Sequence, residues 1–144
     1  MNNTVWQMSP SDRLKEWRHF RKKIAEKELF DAMQDVIDWW KLAPLSSRVL
    51  DIYDNSTWPD PWELLHNGEY DENSIALGIS YTLSLNDIPC NILLVQSRKE
   101  SYLGLIVFVD EKYILNYTYG EINDKSILDD SEVLQTYNVK ELIS

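Results

Sequence analysis

Residues 58–78 read WPDPWELLHNGEYDENSIALG, and the fold turns on this stretch. Pro61 suits the first turn of a short helix, where its missing N–H is not needed, and Asn67–Gly68 is a stop signal. A second helix then starts at Asp71 and Glu72, whose charges sit well against the positive end of the helix dipole. It spans about residues 71–86, with Ile75, Ile79, Thr82 and Leu83 on one side and Ser74, Gly78, Tyr81 and Leu85 on a neighbouring stripe. Gly78 in mid-helix costs about 1 kcal/mol against alanine, so a neighbour is expected to press on the backbone there. A loop that hands a residue to the start of a buried helix is suited to presenting a nucleophile. No cysteine stands here, and both histidines, His19 and His66, precede the helix.

Working outward, SPSDRLKEWRHFRKKIAEK (residues 9–27) has a serine cap candidate in Ser9 or Ser11, then Pro10 and Asp12 in the first turn. Leu14, Trp17, Phe20 and Ile24 recur at helical spacing, while Arg13, Lys15, Arg18, Arg21, Lys22, Lys23 and Lys27 occupy the other faces. A second helix is expected over residues 28–42, with Leu29, Met33, Val36, Ile37 and Trp40 as its apolar stripe. Trp39 and Trp40 cannot face the same way, so one of them belongs at the edge of the core or in an interface. Pro44 ends this helix, and residues 46–61 are loop-like, rich in Asp, Ser, Asn and Pro.

After residue 90 the period changes. CNILLVQS (90–97), YLGLIVFVD (102–110) and KYILNYTYG (112–120) are β-rich runs, and Asp110–Lys112 makes a compact hairpin turn between the last two. They predict a sheet with helices on one face. The tail from Ser131 adds a short strand around Leu134–Tyr137.

Charge is unevenly spread. The net charge is −10, yet residues 1–41 carry eight Lys/Arg against seven Asp/Glu, and residues 42–144 carry six against seventeen. The acidic part repels phosphate backbones and disfavours direct nucleic-acid binding. The lone Cys90 excludes an internal disulfide framework and fits a reducing compartment as a small buried thiol. No stretch approaches the roughly 20 apolar residues that cross a bilayer. MNNTVWQMSPSDR has no apolar signal core, so secretion by a signal peptide is not expected. At this length one domain is expected, large enough to fold without a staple.

Helices, a loop, a buried helix and then antiparallel strands are the order found in a known family. GEYDENSIA (68–76) resembles the pattern G-D-C-E-D-x-A-x-A on the catalytic helix of transglutaminase-like cysteine peptidases, and TWPDPWELLHNG (57–68) is similar to the lead-in of the bacterial branch. LNDIPCNILLVQ (85–96) and YLGLIVFVDEKYILN (102–116) resemble its strand entry and its following hairpin. The resemblance implies a transglutaminase-like or papain-like core over residues 51–120, with a helical part at 1–42 and a C-terminal extension at 121–144. It also implies where a Cys–His–Asp triad belongs, and the chain lacks all three groups. The cysteine position falls on Tyr70 without gaps, or on Glu72 when counted back from Ile88–Pro89. The histidine position falls near Tyr102 or Leu103, and the carboxylate position on Asn116.

Other chemistries find little support. His66, Asp71 and Glu72 lie close in sequence but follow no metal-ligand spacing, and the pairing of Glu63 with Glu72 for hydrolysis has no sequence signature. There is no phosphate-binding glycine loop and no serine nucleophile elbow. LKEWRHFR (14–21) and WPDPWEL (58–64) are similar in style to proteins of tailed bacteriophages. The chain is therefore expected to be one α+β domain, N-terminal helices on a small antiparallel sheet. It needs no cofactor and no metal, and serves as a non-catalytic binding or structural module in the host cytoplasm or virion. Its partners would be proteins, phage structural proteins or itself, met through Trp39, Trp58, Trp62, Arg18 and Arg21. Two alternatives stand beside this: an acidic inhibitor of a host nucleic-acid-binding protein, and a residual hydrolase using Cys90.

Overall fold

The computed structural model describes residues 4–143, so Met1–Asn3 and Ser144 lie outside the described residues. Ser9 caps the first helix by accepting the Asp12 amide at 3.3 Å, and Pro10 opens α1 (Pro10–Ile24). Trp17 and Ile24 are buried, with Leu14 and Phe20 half-buried beside them. Arg13 departs from the expected basic outer face. It is 5% exposed and donates to the carbonyls of Leu65 (2.7 Å) and Met8 (3.0 Å), so it ties Leu65 to the segment before α1 from inside the fold.

Met33, Val36, Ile37 and Trp40 line the buried side of α2 (Leu29–Lys41), and Trp39 sits at the core's edge, stacked on Phe20. The short α3 (Pro61–Asn67) begins in a capping box, with Asp60 and Glu63 each accepting the other's backbone amide, and stops at Gly68 with φ 75°. From Ile75 to Leu83 every residue of α4 (Glu72–Ser84) is buried, so this helix forms the axis of the molecule. Gly78 is where Trp40 packs: a Cβ there would meet the indole at 2.5 Å.

Five strands follow: β1 (Cys90–Ser97), β2 (Tyr102–Val109), β3 (Tyr113–Leu115), β4 (Ile122–Asp124) and β5 (Ser131–Asn138), in the order β4-β3-β2-β1-β5 with every neighbour antiparallel. Asp110 (φ 55°) and Glu111 (φ 52°) both adopt left-handed backbone in the β2–β3 turn, closed by Lys112 N–H to Val109 O at 3.1 Å. Two successive positive φ values match the twist of a tight hairpin.

Strand alternation sends Ile92, Leu94, Leu105, Val107 and Leu115 toward the helices. Leu93, Val95, Ile106 and Ile114 point the other way and form a second apolar cluster, covered by Tyr102, Tyr117, Ile127 and Leu128. The helices do lie on one face, and the stretch after β4 shelters the other. The tail is more than the expected short strand. β5 pairs along β1, with a bulge at Leu94–Val95, and leads into α5 (Val139–Ile143), whose Val139 is fully buried. Residues 121–143 are thus built into the sheet and core rather than appended to them. Among the described residues no helix is long and apolar enough to cross a membrane.

Candidate functional site at the start of the central helix

Because β3 pairs with β2 only from Val107 to Val109, the first half of β2 has a free edge, and the first turn of α4 fills it. Asn73 Oδ1 accepts the Leu105 amide at 2.9 Å, and Asn116 Nδ2 donates to the Glu72 carbonyl at 3.0 Å. Asp71 caps the helix by accepting the Ser74 amide at 2.8 Å, and its second oxygen takes the Leu50 amide at 2.9 Å, which fastens the preceding loop. Glu72 itself is exposed.

Three tyrosines gather around this end. Tyr102 stacks on Tyr117 with ring centroids 4.5 Å apart. Burial, then the Glu72 charge and the neighbouring Tyr117, push the Tyr102 phenol well above its ordinary value. Tyr119 donates to the Lys41 carbonyl at 3.1 Å and is raised by burial and then by Glu72. Glu72, Tyr102 and Asn116 therefore share one end of α4. Leu103 alternates away from Tyr102 and is 41% exposed.

Tyr70 lies elsewhere. It is 1% exposed, with its ring centroid 5.5 Å from those of both Trp6 and Trp40 in edge-to-face contact. Its hydroxyl donates to Leu64 O at 2.7 Å and accepts from the Gly68 amide at 3.2 Å. Burial pushes its pKa up to about 12, against smaller lowering contributions from the Gly68 bond and Arg13. Tyr70 is a core residue that fastens the turn into α4. A cleft of about 400 Å³ opens on the loop side of this helix start, among Leu50, Trp58, Tyr70 and Ser74.

Chemically, this end of α4 offers one exposed carboxylate, phenols held protonated at neutral pH, and an amide. None of these is a thiolate or an imidazole base. Cys90 stands at the other end of the strands: it pairs with Val109, whereas Tyr102 pairs with Ser97. The length of β1 separates these two ends, roughly 24 Å at about 3.4 Å per residue. Cys90 borders a larger cavity of about 660 Å³, is 8% exposed, and points its Sγ at Ser80 O at 3.5 Å. Burial pushes that thiol up to about 12.

His66 is exposed in the last turn of α3, and Glu63 is engaged in the capping box. Among the described residues no group of three or more His, Cys, Asp or Glu side chains is placed to hold a metal ion.

The surface candidates separate clearly. Trp58 is 9% exposed, donates its indole N–H to Asp51 O at 2.6 Å and packs edge-on against Tyr137, so it is a packing residue. Trp39 is half-buried between Phe20, Trp6 and Trp40. Trp62 is 43% exposed, meets Trp17 edge to face at 5.7 Å, and has the Arg18 guanidinium 6.0 Å from its ring. Arg21 lies 4.3 Å over Trp17. Sequence reasoning passed over Asn73 and Tyr119, because nothing local in either marks the tertiary partner it finds.

The helix start wedged beside a β-hairpin belongs to an α+β fold, and comparison with solved structures places that fold with the LapG-like, transglutaminase-like kind. Solved structures it is similar to include those of LapG from Legionella pneumophila. The calcium-bound form superposes with a TM-score of 0.75 and 16% identity, covering 92% of this chain and 77% of that one. A second LapG structure gives 0.73 and 15%, covering 90% and 76%, and an EGTA-treated form gives 0.73 and 15%, covering 90% and 74%. At such identities the likeness is one of fold. No family model and no curated protein matches the sequence.

Proposed function

We propose that this chain is a non-catalytic protein of LapG-like fold that works by binding other proteins. One observation carries the reading: Glu72, Tyr102 and Asn116 gather at the start of α4, where the resemblance calls for cysteine, histidine and aspartate. Phenols raised by burial are donors at neutral pH rather than bases, and the only thiol is buried and protonated at the far end of the strands. The style of residues 14–21 and 58–64 supports a role among the structural or assembly proteins of a tailed phage, in the virion or the host cytoplasm.

The test is an assay of the purified chain against casein and fluorogenic peptides, with iodoacetamide labelling alongside. The expected result is no turnover and no labelling of folded Cys90 at neutral pH. Turnover abolished by Cys90→Ala would replace this reading with a hydrolase. The net charge of residues 42–144 favours a second reading, an acidic inhibitor seated on a basic host protein. Salt-sensitive binding to such a protein, weakened by neutralising acids in residues 121–132, would select it.

A further inference from the structure

Positive charge in this acidic chain is concentrated on the outer side of α1. Lys15, Arg18, Lys22 and Lys23 are exposed there, and Arg21 is half-buried among them. Lys27 pairs with Asp35 and Lys99 with Asp130, whereas none of these five cations is ion-paired to a carboxylate among the described residues. Arg18 and Arg21 are near enough that Arg18, after burial, lowers the Arg21 pKa. The Nε of Arg21 is buried with no acceptor among the described residues. Two like charges held side by side without a counter-charge are a cost that an incoming anion relieves.

The patch is also pre-organised. Trp17 is fully buried and anchored by its N–H to Thr82 Oγ1 at 3.0 Å, and Arg21 lies over its ring. Trp62 is fixed against Trp17 by α3, whose last carbonyls Arg13 grips from within α1. A guanidinium laid on an indole loses little further freedom on binding, and the exposed Arg18 and the outer part of half-buried Arg21 are left for carboxylates. Trp62 leaves part of its indole uncovered beside the two arginines, and Trp and Arg together are the residues that anchor interfaces.

We propose that Arg18, Arg21 and Trp62 form a docking surface for a segment of a protein partner in which carboxylates alternate with apolar side chains. This rests on the binding-module reading and gives it a partner class. Charge complementarity selects the class: two guanidinium groups match two carboxylates, and the free indole takes the apolar side chain between them. A nucleic acid fits less well. It needs many phosphate contacts to gain from counterion release, and the rest of the chain, six cations against seventeen acids over residues 42–144, repels it.

A short peptide alternating Glu and Leu, its Gln–Leu counterpart and a short single-stranded DNA are titrated into the full chain, with the indole N–H signals followed by NMR. The Glu peptide is expected to move the Trp62 signal and to bind more weakly as salt rises. Arg18→Gln with Arg21→Gln should weaken it by at least about tenfold, and Arg18→Lys should recover only part. The buried indole signals report that each variant is folded. Equal binding of the Gln peptide, tighter binding of DNA, or no shift at millimolar peptide overturns the proposal. So does self-association that the double variant abolishes, because the occupant is then a second copy. Those results leave the non-catalytic reading standing, which fails separately if the chain turns over a substrate.

Discussion

Asn116 donates its Nδ2–H to the Glu72 carbonyl at 3.0 Å, tying the end of β3 to the first turn of α4. Asn116 adopts φ 70°, a left-handed conformation that asparagine tolerates well, and it is 5% exposed with its Oδ1 unpartnered. An aspartate there would keep the shape but replace the donor with an acceptor facing a carbonyl. Asn116→Asp is therefore expected to cost about 2–4 kcal/mol at neutral pH. Burial raises the introduced carboxyl's pKa in the folded state. The variant should come closest to the parent in acid and lose stability as pH rises through the unfolded carboxyl's value of about 4. Urea unfolding on both sides of that value checks this, and a variant as stable as the parent at neutral pH would refute it.

The two positions weighed for the missing cysteine can be separated by thiol reactivity. In a Cys90→Ala background, Glu72→Cys puts a thiol on an exposed first helical turn, where the helix dipole favours the thiolate and lowers its pKa below the usual value of about 8.5. Tyr70→Cys puts one in the aromatic cluster, 1% exposed in the parent. Iodoacetamide rates against pH should show fast, low-pKa modification at position 72 and protection at position 70. Faster reaction at position 70 would mean the turn into α4 opens in solution.

Local chemistry made much of this fold legible. Pro61, Asn67–Gly68, Asp71 and the Asp110–Lys112 turn each act within a few residues, and each does in the structure what its type predicts. Gly78 was readable as a close approach, although its partner Trp40 was not. Arg13 was misplaced because helical periodicity counts an arginine as surface, whereas here the carbonyls of Leu65 and Met8 compensate its burial. β5 was underestimated because an edge strand with mostly exposed side chains carries a weak alternation. At the candidate site, Asn116 and Tyr102 were found through the resemblance. Tyr119 and Asn73 act across the fold, on Lys41 and Leu105, and leave no local trace.

Alkaline pH should destabilise the fold in a defined window. Burial raises the phenols of Tyr70, Tyr81 and Tyr102 and the thiol of Cys90, with Tyr70 and Cys90 each reaching about 12. Unfolded, such groups ionise near about 8.5 for cysteine and about 10 for tyrosine. Below those values both states are protonated and these groups add no pH dependence. Above them the unfolded chain releases protons first, so stability falls with pH until the folded groups ionise as well. Thermal melts should be flat in this respect near neutrality and drop steadily from about pH 9 upward. Tyr70→Phe should reduce the slope while costing about 1–2 kcal/mol at neutral pH through its lost hydrogen bonds. A slope unchanged by Tyr70→Phe would place the alkaline transition on other groups.

Thr82 joins three helices through one oxygen. Its Oγ1 accepts the indole N–H of Trp17 from α1 and that of Trp40 from α2, both at 3.0 Å, and its own proton goes to Gly78 O at 2.7 Å. The hydroxyl's one donor and two acceptor sites are thus all used, at a position with no exposure. Thr82→Val keeps the volume but strands two buried indole N–H groups, each worth about 1–3 kcal/mol, so a loss of about 2–6 kcal/mol is expected. Thr82→Ser keeps both acceptor sites and gives up a methyl, for about 1 kcal/mol. If the hydroxyl is what matters, Trp17→Phe should cost less in the Thr82→Val background than in the parent, since its N–H has already lost its partner there. Urea unfolding of the parent, the two single variants and the double variant closes the cycle. Equal losses for Thr82→Val and Thr82→Ser would mean that packing of the indoles, and not their shared acceptor, holds α1 and α2 on the central helix.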